Sequence, residues 1–466
     1  MPFHTSILLW GNNAPYPYYI YFLGNSDNLA TVLFLVAFIF NIFLLIGYRT
    51  GFSCFVLWMI YVANLARTVV ITEGGDMLIK LLLFWSIFLP LSSNYSVSSR
   101  KDIQNSSQYS TFSAGTVAIL LQIALVYWIS VGIKWQDFDW INGNAVYYSL
   151  SLYQYSTPLG ESLLRLPFPF LKFLTYYILT VETLGPFFLF FPQTRVKLIT
   201  IFVFLITLLG FGTCLDIGLF VVTNLITLIL FIPSEFWGKL LNYKNSVKLF
   251  LPAISSGKYN LINKMTIWLY KYFSSINISL NKGIFNYSFT PFLRTQYFYL
   301  VNILVVFFMI ISFSCGINYL NLKYKIPAFI INLGHKLGIE YQNWRAFTPP
   351  GGDSIWYVIR GQLQNGEIID VFRNGQAVSW EQPNVPASKI HKNNLWKKYL
   401  MSLPYYKNMY HYYAAYLCND WNQKHKGSEH LKSIEINLMN KTPEINNRNP
   451  FITRETMYKN YCSNLR

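Results

Sequence analysis

Eight long apolar runs constrain this chain more than any other feature. They fall near residues 31–47, 52–71, 77–91, 114–133, 170–192, 197–213, 217–233 and 297–317. A helix of about 20 apolar residues spans a hydrocarbon layer of about 30 Å, and several of these runs reach that length. Only 12% of residues are charged against 53% hydrophobic, whereas soluble domains carry about 25% charged residues. The expectation is an α-helical polytopic membrane protein with about eight transmembrane helices, the shorter runs being tilted or re-entrant. The lipid bilayer is then the first partner.

Charge placement gives the expected orientation. Alternate loops carry Arg49; Arg100 and Lys101; Arg195 and Lys197; then seven lysines and Arg294 within 234–296. The opposite loops carry essentially only Arg165, and the first 30 residues lack Lys and Arg. The positive-inside rule puts the basic loops in the cytoplasm and the N-terminus outside. Eight passes bring the chain out again after about residue 320, so 1–320 is expected as a transmembrane domain and 321–466 as an outer domain. The formal charge of +17 is explained by these loops and does not call for nucleic acid. Segment 234–296 mixes lysines with Trp237, Trp268 and several Tyr and Phe. It reads equally as an amphipathic stretch on anionic lipid, a partner-binding segment, or a loop that only sets topology. No basic stretch precedes the first apolar run, so a cleaved signal peptide is not expected.

The outer part reads as α+β with a small antiparallel sheet. Residues 356–363, a turn at Asn365-Gly366, residues 368–372, a second turn at Asn374-Gly375 and residues 377–380 predict a three-stranded meander. Helices are expected near 393–402 and 408–424, and Ser433–Met439 as a returning strand. Of the five cysteines, Cys54, Cys214 and Cys315 lie in or beside apolar runs and read as small core residues. Cys418 and Cys462 share the outer part, where a disulfide between them would need an oxidising compartment. No cysteine or histidine spacing matches a metal site.

Ionisable residues inside spans are costly and are functional candidates by default. Lys134 ends the fourth run, Glu182 lies within the fifth, and Asp216 sits in a break between the sixth and seventh. A cluster of these three could hold an anion or move a proton; separately, each could be an anchor or a structural ion pair. Asp76, in Glu73-Gly74-Gly75-Asp76, could cap the helix that follows or line a ligand site. Trp135, Asp139 and Trp140 follow Lys134 closely enough to share a pocket with it. None of the six histidines lies in an apolar run.

Several segments in order give the chain a family likeness. They are Glu73-Gly74-Gly75-Asp76; Asn94-Tyr95-Ser96-Val97; Gly132-Ile133-Lys134 through Trp140 to Asn142-Gly143-Asn144-Ala145; Val181-Glu182 with Gly185-Pro186; Asp216-Ile217-Gly218; Gln342-Asn343-Trp344-Arg345 with Pro349-Pro350; and Tyr416-Leu417-Cys418-Asn419-Asp420-Trp421. Together they resemble the vitamin K-dependent gamma-carboxylase family, in its bacterial branch of horizontally transferred transmembrane (HTTM) domain proteins. The resemblance implies a bacterial inner-membrane protein and a quinone-sized cavity. It also implies a catalytic lysine as the second of a pair, but here Lys134 is followed by Trp135. Histidines of the family fall near Gly75 and near Thr207-Leu208. Vitamin K-driven carboxylation is therefore not expected. The reading put first is a non-catalytic envelope or complex subunit or assembly protein that uses 321–466 or 234–296 to hold a partner. The alternative is a membrane enzyme of altered chemistry acting on a quinone, a lipid or a peptide at the outer face. It requires Lys134, Glu182 and Asp216 to converge on one pocket. A transporter would show inverted repeats and paired broken helices, and the sequence displays neither.

Overall fold

The computed structural model describes residues 14–23, 26–91, 113–237, 291–320, 322, 325–340, 344, 347–350, 352–443 and 451–465. Asn94–Val97, Arg100, Lys101 and most of the basic segment (238–290) lie outside the described residues.

Each of the eight apolar runs forms a helix. These are α1 (Ser26–Leu45), α2 (Thr50–Arg67), α3 (Gly74–Ser86), α4 (Ala114–Lys134), α5 (Phe168–Leu189), α6 (Thr194–Cys214), α7 (Leu219–Ile229) and α8 (Pro291–Ile317). Five of them, α1, α2, α4, α6 and α8, are long and apolar enough to cross a membrane. The 22-residue α5 is also long but carries Lys172, Glu182 and Pro186, while α3 and α7 have 13 and 11 residues. Such lengths fall short of the about 20 residues of a full span, as expected of the shorter, tilted or re-entrant runs. The central helix is α4, packed against α3, α5 and α8. The peripheral one is α1, whose outward face exposes Phe34, Phe38 and Ile42.

Local chemistry sets the helix ends. Ser113 caps α4 by accepting from the Thr116 amide at 3.2 Å. Glu73 and Asp76 form a reciprocal capping box at the start of α3, which uses Asp76 as a cap. Between α6 and α7 the chain breaks at Gly218, whose φ of 62° suits glycine. A side-chain carbon there would lie 2.6 Å from the Glu73 carboxylate.

Beyond α8 come α9 (Ala328–Leu337), β1 (Ser354–Leu363), β2 (Ile368–Asp370), α10 (Asn394–Ser402), α11 (Met409–Lys424), β3 (Leu431–Lys441) and β4 (Ile452–Tyr461). The strands make one antiparallel sheet in the order β2-β1-β3-β4. The expected hairpin at Asn365-Gly366 is present, and the expected strand at 433–439 lies inside β3. The meander's third strand is not: after β2 the chain makes a single bridge from Asp370 to Gln376, and Gly375 packs beside the Trp421 ring. The outer edge of β2 gains no strand, and the other edge of β1 pairs with β3, about 75 residues away in sequence. Helix α11 covers the sheet, Cys418 and Cys462 are disulfide-bonded, and Tyr357, Tyr410 and Tyr413 fill the core between. That core also takes Val70 from the α2–α3 turn, so the sheet region and the helices share an interface.

Candidate functional site

The turn after α4 folds back on itself. Asp137 accepts from the Asp139 and Trp140 amides at 3.0 and 3.2 Å, which starts the short helix Phe138–Ile141. This brings the Trp140 ring to 4.7 Å from Lys134 Nζ, a cation–π distance. The Trp140 indole donates to the Phe347 carbonyl at 2.7 Å, tying the turn to the segment that leads into the sheet. Lys134 then reaches α5, where its ammonium donates to both Glu182 oxygens at 2.7 and 2.5 Å. Both residues are buried. A pair so placed is held by charge-assisted hydrogen bonds that compensate the cost of burial.

Asp216 joins the helices to the sheet region. Its amide donates to the Tyr155 carbonyl at 2.7 Å, and its carboxylate pairs with Lys397 of α10 at 2.5 Å. Lys397 also donates to the Asp216 carbonyl at 2.8 Å. The next residue, Lys398, pairs with Glu73 at 2.7 Å, and Glu73 accepts from the Leu219 amide at 2.9 Å. Ser402 donates to the Val70 carbonyl at 2.7 Å. Helix α10, N-capped by Asn393, is thus fastened across the helix ends by two ion pairs and a hydrogen bond. Burial lowers the Lys397 pKa, with Asp216 opposing the shift. Burial also lowers nearby His391, to about 4, with Lys397 adding to the effect.

Between α10 and the helices lies a cavity of about 1140 Å³, slightly above the usual range for ligand pockets, about 300–1,000 Å³. Its wall includes Lys134, Glu182 and Asp216 together, with Tyr127, Tyr177, Thr207, Trp140 and the α10 lysines. Most of the remaining wall is apolar, from Val126, Ile178, Leu208 and Phe211 among others. Deeper in, Tyr127 donates to Asn224 at 3.1 Å, and Tyr177 and Thr207 share a hydrogen bond of 3.0 Å.

Of the other four pocket candidates, Asp76, Trp135, Asp139 and Trp140, only Trp140 lines the cavity. Trp135 turns outward, half exposed, with its indole on Thr183 at 3.1 Å. Asp139 accepts from Asn144 at 3.2 Å. Asp76 accepts from Tyr61 at 3.1 Å and from the Glu73 amide at 3.0 Å. Glu73, from the turn read as either cap or ligand site, does line the cavity, whereas sequence reading missed Lys397 and Lys398. The adjacent lysines of α10 carry the pattern of a solvated helix face, and only the fold turns them inward. Sequence reading also missed Lys80, a lysine inside the third apolar run, for which the signal was present. Lys80 is buried in α3 and lies 4.0 Å from Glu340, which is itself ion-paired to His335; none of these three lines the cavity. Among the described residues no group of three or more His, Cys, Asp or Glu could hold a metal.

No protein-family model, curated protein or solved structure matches the chain.

Proposed function

We propose that this chain is an eight-span inner-membrane protein of the carboxylase-like HTTM fold whose cavity holds a quinone- or lipid-class amphiphile. The carrying observation is the convergence of Lys134, Glu182 and Asp216 on one large, mostly apolar cavity. This is the arrangement that the enzyme reading required. An apolar wall with a few polar groups suits a molecule with a hydrocarbon body and a small polar head.

The charges on the wall narrow the head group. Three lysines (Lys134, Lys397, Lys398) face four carboxylates (Glu73, Glu182, Asp216, Asp353), and the lysines are already paired. No excess of positive charge awaits a phosphate, so the wall favours a neutral head such as a quinone. Asn394, which lines the cavity, has a buried amide oxygen without a hydrogen-bond partner, and a hydroxyl of a reduced quinone could donate to it. The Lys134–Glu182 pair would contact the head and exchange a proton with it.

Carboxylation driven by vitamin K is not part of this proposal. In the position of the family's catalytic lysine, Trp135 turns away from the cavity. At Gly75 a side-chain carbon would lie 2.7 Å from the Leu219–Phe220 backbone, leaving no room for an imidazole. These losses support a second reading, in which the chain binds its amphiphile without turnover and serves as an envelope or complex subunit.

The orientation proposed has the sheet region outside the cytoplasm. The Cys418–Cys462 bond supports it, since disulfides persist in oxidising compartments. The Glu73, Lys134 and Asp216 helix ends meet α10 and the segment that leads into the sheet, the one-sided placement that alternating passes would give.

The test is mass spectrometry of lipids extracted from the chain purified in mild detergent. The expected result is one quinone or other neutral-headed amphiphile per chain, enriched over bulk lipid. Incorporation of labelled carbon dioxide into a glutamyl peptide with reduced vitamin K should stay at background. Extracted lipid indistinguishable from the bulk membrane would refute the cavity's proposed role.

A further inference from the structure

The cavity is not sealed on its membrane side. Helices α5 and α6 meet closely at one level, where a side-chain carbon at Gly185 would lie 2.5 Å from the Phe204 ring. Nearer their outer ends the contact opens. A side-chain carbon at Gly210 would meet nothing within 4 Å, and Ile206 and Phe170 are 50% and 43% exposed. Yet Phe170, Leu174, Ile206 and Gly210 all line the same cavity as Lys134 and Glu182. The wall of the cavity and the outward surface of two apolar helices are continuous there. α6 has the length and hydropathy of a span, so what faces this cleft is hydrocarbon, and water-soluble molecules are excluded from it. A separate mouth reaches water at Tyr405, which lines the cavity and is 85% exposed.

We propose that the cavity is loaded sideways from the bilayer through the cleft between α5 and α6. The hydrocarbon tail of the bound amphiphile lies along Phe170, Leu174, Ile206 and Gly210, and its head reaches the Lys134–Glu182 pair. This rests on the reading of the cavity as an amphiphile site, and adds the route and the pose. Glycine at 210 keeps the cleft open, and a large residue there closes it without displacing any neighbour.

Cys214 offers a native reporter. It lines the cavity and is partly exposed, whereas Cys54 and Cys315 are buried. The full chain in phosphatidylcholine liposomes is treated either with N-dodecylmaleimide dissolved in the bilayer or with a sulfonated maleimide in the water, and labelling of Cys214 is followed by peptide mass spectrometry. Gly210→Trp and, separately, Ile206→Trp should slow labelling by the dodecyl reagent on the order of tenfold, with the sulfonated reagent nearly unaffected. Unchanged dodecyl labelling in both variants overturns the lateral route while leaving the cavity's occupant untouched. Equal slowing of both reagents also overturns it, because the tryptophan then shields the thiol and not the path. Failure of either reagent to reach Cys214 in the unsubstituted chain overturns the cavity reading itself.

Discussion

Two buried lysines, Lys80 and Lys134, sit equally deep in this helical bundle and do different things. Each is 3% exposed and each has a glutamate partner. Lys134 is bonded to both oxygens of Glu182 at the edge of a large cavity. Lys80 stands 4.0 Å from Glu340, whose second oxygen meets His335, and it packs in protein on every side that the structure describes. A buried charge by itself therefore marks a cost that has been compensated. It marks a site only where free volume lies beside it. The difference separates a pair that can meet a ligand from one that pins α9 onto α3.

The largest expected effect tests that separation directly. Lys134→Met leaves Glu182 buried without a counter-charge and should cost about 3–5 kcal/mol of stability, read as thermal unfolding in detergent. The double variant Lys134→Met with Glu182→Leu should recover most of it. Lys80→Met should cost less, about 1–3 kcal/mol, because His335 stays to compensate Glu340. An equal loss from the two single variants would erase the contrast.

A smaller effect is expected at α10. Lys397→Ala with Lys398→Ala removes both ion pairs that fasten this helix, but the Asp216 side chain is 31% exposed, so solvent screens part of the interaction. A loss of about 1–2 kcal/mol is expected, with faster hydrogen exchange confined to α10 and its neighbours. Exchange that rises evenly through α4 and α5 would show that the helices depend on the sheet region for their packing.

The smallest effect is on pH dependence. Burial holds His391 at about 4, below its ordinary value near 6.5. The unfolded chain then binds a proton that the folded one does not, so stability is present above 6.5 and falls as pH drops from there towards 4. His391→Gln should flatten this slope in a pH series of melting temperatures.

Much of this architecture was legible in the sequence. The eight apolar runs gave the helices, because burial of an apolar surface is written locally. Asn365-Gly366 gave the hairpin through its turn chemistry. The second partner of β1 was not legible, since the pairing with β3 depends on contacts distant in sequence, and Ala377–Trp380 has the composition of a strand although the chain after β2 makes only the single Asp370–Gln376 bridge. Lys134, Glu182 and Asp216 stood out as charges among apolar residues. Lys397 and Lys398 did not, because a lysine pair on a polar helix carries no local sign that its ammonium groups turn inward. Gly210 was equally silent. Its role depends on the empty space around it, a property of two helices together.

The role of the Lys134–Glu182 pair in holding the amphiphile is read by native mass spectrometry of ligand retention, comparing Glu182→Gln with Glu340→Gln in chains purified alike. One bound amphiphile per chain is expected in the unsubstituted protein and in Glu340→Gln, and loss of most of it in Glu182→Gln. Equal retention in the two variants, or equal loss, would contradict that role.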